Sequence, residues 1–272
     1  MSSAITELQP TQFSFAVRFD QGYRYLDRCG EAIVRLEETL DEGWIPGDIN
    51  PSGGQLRNYT LGLAATFGTA SLSVNQTEFM SFEHFQDQTC KVFEVLRVAF
   101  DIRRVVTPAL RVVYQLGFPD VEIAHTALRS LQLCRPDREL VKQLSGNEEA
   151  MDLTLTTREE ITWQGAATSR RRRIEAKVVR QERQPVFDDR IMQRLQLLPS
   201  RYHETIRAIR ALRRQHSMIV DVAAQFDFEN SLEGEFSSST LDVATFLRGS
   251  RAWSQEMEDF IRTRIKVACQ NT

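Results

Sequence analysis

Phe13, Phe15, Val17 and Phe19 alternate with Ser14, Ala16 and Arg18. Large apolar side chains at every second position require an extended chain with one buried face, so a sheet must organise this protein. The period then changes. Leu26, Cys29, Ile33, Leu36 and Leu40 follow the spacing of one helical face behind a capping Asp20, with Glu37, Glu38, Asp41 and Glu42 on the solvent side. Residues 44–54, holding Pro46, Pro51, Gly47, Gly53 and Gly54, read as an exposed loop. Two strands follow at about 59–66 and 70–76, joined through Phe67, Gly68 and Thr69.

Ser81 opens a second helix with Phe85, Val92, Phe93, Leu96 and Phe100 on its inner face. The strand-like run 105–116 contains Pro108, which implies an edge position or a bulge. The order β-α-β-β-α-β is that of a ferredoxin-like lobe, two helices over one face of an antiparallel sheet, assigned to residues 1–118.

Residues 119–272 read as a second α+β lobe after the Pro119-Asp120 boundary. A helix is expected over 121–133 and a helical turn or two over 137–144, before the Gly146-Asn147 break. Strands at 151–163 and 173–183 are joined by a turn at 165–169, and 188–215 is helical but divided at Pro199. A strand follows at 218–228. Ser239 and Asp242 form a capping box for a long last helix to about residue 267, with Val243, Phe246, Leu247, Trp253, Met257, Phe260 and Ile261 inward. The fold class is α+β with two lobes.

Length and composition suit a soluble globular chain: 272 residues, 42% hydrophobic, 26% charged, net charge -3. The polar opening lacks a basic leader, and no run approaches the apolar residues of a membrane span, so a cytoplasmic protein without membrane contact is expected. Cys29, Cys90, Cys134 and Cys269 are far apart, as are His84, His125, His203 and His216, so neither disulfides nor a zinc site is expected. Of 34 basic residues 30 are Arg. They are unevenly placed: residues 1–120 carry a net charge of -5 and residues 121–272 a net +2.

Arg170, Arg171, Arg172 and Arg173 are consecutive at a strand entrance, and Lys177, Arg180 and Arg183 continue along it. Arg207, Arg210 and Arg214 form an exposed helical stripe beside the inward Ile206, Ile209 and Leu212. If strand and helix are neighbours, they form a positive patch for phosphates or an acidic partner surface. Glu229, Glu233 and Glu235, in the loop before the last helix, are the acids placed to neutralise it. Exposed aromatics for base stacking do not accompany the patch, so any nucleic-acid reading rests on the phosphate backbone.

Glu175-Ala176-Lys177 has the E-x-K spelling with which nucleases hold magnesium beside an ammonium, Asp152 being the upstream acid. Asp188-Asp189 reads as helix capping, and His203-Glu204 has no identifiable catalytic partner. No phosphate-loop, dinucleotide or serine-hydrolase motif occurs. In 50–54 Pro51 removes one of the N–H groups a phosphate cradle needs.

The strand Phe13-Ser-Phe-Ala-Val-Arg-Phe19, the run Met218-Ile-Val-Asp-Val222, and the last helix from Leu241-Asp242 through Phe246-Leu247 to Met257-Glu-Asp-Phe260 together resemble an uncharacterised, sporadically distributed bacterial family of about this length. The resemblance implies an accessory role such as phage defence or partnership with a toxin, and no transferable catalytic site. The reading that follows is a non-enzymatic, cofactor-free bacterial protein that binds a protein or a nucleic-acid phosphate backbone through its Arg-rich face, with homo-oligomers compatible. The alternative is a magnesium-dependent nuclease or RNA-processing protein using Asp152, Glu175 and Lys177.

Overall fold

The computed structural model describes residues 7–19, 24–40, 43–77, 81–131, 153–180, 193, 197, 199–204, 206–207 and 222–270. The strands are β1 (Gln9–Phe19), β2 (Trp44–Asn50), β3 (Gly53–Asn58), β4 (Leu63–Gly68), β5 (Ser71–Gln76), β6 (Arg104–Phe118), β7 (Leu153–Trp163), β8 (Ala166–Arg180), β9 (Val222–Glu233) and β10 (Glu235–Ser237). They form one sheet in the order β2-β3-β4-β5-β1-β6-β9-β8-β7, with β10 also on β6, and every pairing is antiparallel. With helices α1 (Arg24–Thr39), α2 (Phe82–Ala99), α3 (Val121–Ser130) and α4 (Val243–Gln270), the chain is mixed α+β.

The alternation at the start of the chain is realised in β1, where Phe13, Phe15, Val17 and Phe19 are buried and Ser14, Ala16 and Arg18 point the other way. The expected cap Asp20 lies outside the described residues. In α1 the inward position falls to Tyr25, and Leu26 is exposed. Tyr25 sets its ring edge-on to Phe67 and Phe100 and donates its hydroxyl to the Asn50 carbonyl at 2.7 Å.

The segment expected as a loop is the β2–β3 hairpin. Trp44 and Ile45 are buried, and Trp44 Nε1 donates to Gln88 Oε1 of α2 at 3.0 Å. Pro46 is tolerated because β2 is the sheet edge, where a missing N–H costs no ladder bond. Asn50 Oδ1 accepts from the N–H groups of Ser52 and Gly53 and closes the turn. Gly68 is required beside it, since a Cβ there would stand 2.5 Å from the Ser52 carbonyl oxygen.

Of the two positions Pro108 allowed, the bulge is the one adopted. β6 is interior, between β1 and β9, and its register with β1 shifts between Ala16 and Arg18, where Thr107 takes φ +49°.

In the second half Asp120 caps α3, its Oδ1 accepting from Ile123 N at 2.8 Å. Residues 137–144 and the Gly146-Asn147 break lie outside the described residues. The β7–β8 turn is shorter than expected: only Gln164 and Gly165, at φ +49° and +82°, form it, and residues 166–169 already belong to β8. After Pro199 comes a 3-10 turn (Ser200–Tyr202) whose Tyr202 hydroxyl donates to Glu37 of α1. Most of 188–215, and residues 218–221 of the expected strand, lie outside the described residues. β9 itself runs on past the expected end at 228. The cap of α4 is Asp242, whose Oδ1 accepts from Thr245 N at 2.9 Å, so Ser239 precedes the helix and does not cap it. Phe260, expected inward, is exposed.

Residue 118 closes β6, and the sheet continues across that point. β6 and β9 pair over ten residues, from Ala109↔Ser231 to Phe118↔Val222. Helices α1 to α4 all contribute, among the described residues, to one apolar cluster on one side of the sheet, with Phe15, Leu56, Phe67, Val74, Val112 and Phe228 from the strands. Arg251 ties α4 to that layer. Its guanidinium lies 5.3 Å from the Phe13 ring, 5.8 Å from Phe82 and 5.7 Å from Tyr114, and it donates to the Tyr114 hydroxyl. Burial pushes the Tyr114 phenol up to about 12, so it remains a neutral hydrogen-bonding group. Replacing Arg251 by Ala removes the three ring contacts and leaves the phenol without this donor. The expected cost is about 2 kcal/mol, read as a fall in Tm of roughly 4–8 °C with helix content retained; an unchanged Tm contradicts this anchoring.

Candidate functional site

β8 lies between β7 and β9, so its side chains alternate between the helix-covered side and the opposite side, which is open in that no helix among the described residues covers it. The four consecutive arginines are therefore divided. Arg170 and Arg172 share the helix side with Ile174 and the buried Ala176, while Arg171 and Arg173 share the open side with Glu175 and Lys177. They sit inside the strand, not at its entrance, because the preceding turn is only two residues long.

On the helix side Arg172 lays its guanidinium 5.4 Å from the Trp253 ring centroid. Arg170 reaches Glu159 of β7 at 3.9 Å. Burial, with Arg172 close by, pulls the pKa of Arg170 down.

The open side is a field of alternating charge. One cross-strand row runs Arg111 of β6, Glu229 of β9, Arg173 of β8; the next places Asp227 opposite Glu175. Arg111 Nε donates to Asp227 Oδ2 at 2.7 Å, and this bond to a nearly buried carboxylate raises the Arg111 pKa further. Glu175 is gripped from both sides along its own strand: Lys177 Nζ lies 3.0 Å from Oε1, and Arg173 donates to Oε2. The Lys177 ammonium, backed by Arg173, holds the Glu175 carboxyl below the usual carboxylate range. Arg158 of β7 pairs with Glu233 at 3.2 Å, and Arg104 with Glu235 at 3.6 Å. Glu229, Glu233 and Glu235, expected in a loop, are in β9 and β10; Glu233 and Glu235 pair with arginines outside the basic run, and Glu229 is the cross-strand neighbour of Arg173 within it.

Arg171 differs from its neighbours. Its cross-strand neighbour on β7 is another cation, Arg158, and on β9 the uncharged Ser231. Among the described residues no carboxylate forms an ion pair with this half-buried side chain; its Nε, like those of Arg170 and Arg172, is buried without a hydrogen-bond partner.

Of the expected helical stripe, Arg207 is exposed, and Arg210 and Arg214 lie outside the described residues. Arg180 ends β8 opposite Val222, with only its backbone described. For the nuclease reading, both Glu175 oxygens are engaged by cations and Asp152 is outside the described residues. Among the described residues no group of three or more His, Cys, Asp or Glu is disposed to hold a metal ion. His203 and Glu204 are exposed, and Cys29 and Cys90 are free thiols. No helix among the described residues is long and apolar enough to cross a membrane.

Arg111, Asp227 and Arg158 belong to the open face but escaped sequence reasoning. The period-2 alternation of β6 marks Arg111 as facing away from Leu110 and Val112; which acid it meets depends on a strand more than a hundred residues away. No family model matches the chain, and no curated protein matches its sequence.

Glu175→Gln leaves Arg173 and Lys177 adjacent with no anion between them. Because this carboxyl has a folded pKa below its unfolded value, its stabilisation is full above the ordinary value of 4.5 and is lost as pH falls through the folded pKa. The variant is expected to be about 0.5–1 kcal/mol less stable than wild type near neutrality, the small value reflecting nearby solvent. The gap should close as the pH falls below 4.5 and through the lowered folded pKa. Urea melts across pH measure it, and a gap independent of pH contradicts the assigned ion cluster.

Proposed function

We propose that this is a non-enzymatic binding protein of the bacterial cytoplasm, built on a ferredoxin-like first half, whose open sheet face docks an acidic protein surface. The strand order β4-β5-β1-β6, antiparallel and with a helix in each crossover, supports the ferredoxin-like reading, the β2–β3 hairpin being an addition at its edge. The single observation that carries the function is Arg171, a guanidinium that among the described residues has no carboxylate, in a field where its neighbours are paired. A half-buried, always-charged group in that state gains most from an anion brought by a partner.

The interleaved carboxylates favour a protein over a nucleic acid. A phosphate backbone laid along β8 would meet Glu175, Asp227 and Glu229 as well as the cations, whereas a protein surface can match both signs. The accessory role, in phage defence or beside a toxin, rests on the family resemblance.

A photo-crosslinking residue placed at Gln225 of β9, half-buried on the same face opposite Lys177 and away from the β7 rim, tests this in the native host. A discrete protein adduct that disappears with Arg171→Glu is expected. Adducts to nucleic acid, or a protein adduct indifferent to Arg171→Glu, would overturn the reading.

A further inference from the structure

The two edges of the sheet are built differently. β2 carries Pro46 and a register shift between Pro46 and Ile49, both of which spoil the ladder an incoming strand would need. β7 carries neither. It is an eleven-residue strand, Leu-Thr-Leu-Thr-Thr-Arg-Glu-Glu-Ile-Thr-Trp, without Pro, Gly or bulge, and residues 154–160 are all exposed.

The short turn fixes which backbone groups face outward. In a two-residue hairpin the flanking residues, here Trp163 and Ala166, form a hydrogen-bonded pair. Odd-numbered residues of β7 therefore use their N–H and C=O groups on β8. Thr154, Thr156, Arg158, Glu160 and Thr162 direct theirs to the edge, where no strand among the described residues receives them.

We propose that β7 is a homodimerisation edge, pairing antiparallel with β7 of a second copy about a twofold axis at Glu159. The proposal is independent of the partner reading above, which uses the face of the sheet and not its rim. The register follows from two requirements: outward-facing residues must meet outward-facing residues, and opposite charges must meet. An axis at Glu159 sets Arg158 opposite Glu160 of the second copy, and Glu160 opposite its Arg158, on the open side. It also brings Leu155, 50% exposed, opposite Trp163 of the second copy on the helix side, and Thr156 opposite Thr162. An axis at Arg158 would set two Arg158 side chains against each other, and one at Glu160 two glutamates. With the axis at Glu159, the two Glu159 side chains do meet on the helix side, but each lies beside an Arg170 whose Nε has no partner, so two carboxylates are held between two guanidinium groups.

Charges on an exposed edge ordinarily discourage pairing. Here their order is self-complementary, so they select one partner and one register.

Sedimentation velocity of the full chain over a concentration series tests this. Wild type is expected to dimerise. Arg158→Glu or Glu160→Arg alone should weaken the dimer about tenfold or more. An equimolar mixture of the two variants should associate again, because each then presents the charge the other lacks. Circular dichroism checks that the variants fold, since Arg158 also pairs with Glu233. Glu159→Cys gives a second measurement that leaves those charges intact: oxidation should link two chains through residue 159, whereas Thr157→Cys should not. A wild type that stays monomeric, a dimer indifferent to both reversals, folded variants that fail to associate on mixing, or no link at residue 159 would each overturn the proposal.

Discussion

The rest of the structure depends on β6 being paired along both edges. One edge binds β1, from the start of the chain, and the other binds β9, from its last quarter, over ten consecutive residues. This ladder makes one sheet of two stretches of sequence that would otherwise have separate edges, and an interior strand must satisfy its backbone on both sides. The β6 sequence accommodates it. Leu110, Val112, Tyr114 and Leu116 are buried toward the helices, and the one residue that cannot donate, Pro108, sits in a bulge where Thr107 absorbs the strain. α4 then closes the seam from above, with Phe246 edge-on to Phe15, Trp253 edge-on to Phe228, and Arg251 over Phe13.

Placing the four helices on one side leaves the opposite face with no apolar layer among the described residues. Its polar side chains must then solvate, pair or meet a partner. Most pair, as Arg111 does with Asp227, and Glu175 with Arg173 and Lys177. Such a face gives little stability per ion pair and much capacity for specific recognition, since each charge already has a fixed position. The division of the arginine run follows from strand geometry alone. Arg170 and Arg172 are drawn into packing and an aromatic contact, and Arg171 and Arg173 are displayed.

Elements whose period is strong and whose core contacts are local were legible in the sequence. β1, α2, α4 and β7 stand where the alternation or the helical spacing put them, and Pro108 correctly signalled a bulge or an edge. The β2–β3 hairpin was not legible, because Pro46, Gly47, Gly53 and Gly54 are turn-forming residues and only edge placement makes them tolerable in strands. The small residues Ala166, Ala167, Thr168 and Ser169 imitate a loop, which displaced the arginine run to the strand entrance. The ion pairs of the open face were invisible for a different reason. They depend on which strands become neighbours, and the pairing of β6 with β9 is a long-range outcome that no local pattern announces.

The central claim is that the β6–β9 ladder welds the two stretches of sequence into a single sheet, on one face of which Arg111, Arg171 and Arg173 are brought together. Hydrogen–deuterium exchange on the native protein measures this most directly. If the ladder is the organising contact, backbone amides of residues 109–118 and 222–231 will be among the slowest to exchange, and will exchange together on urea titration. Loss of protection in 222–231 at urea concentrations that leave 109–118 protected through β1 would contradict the account.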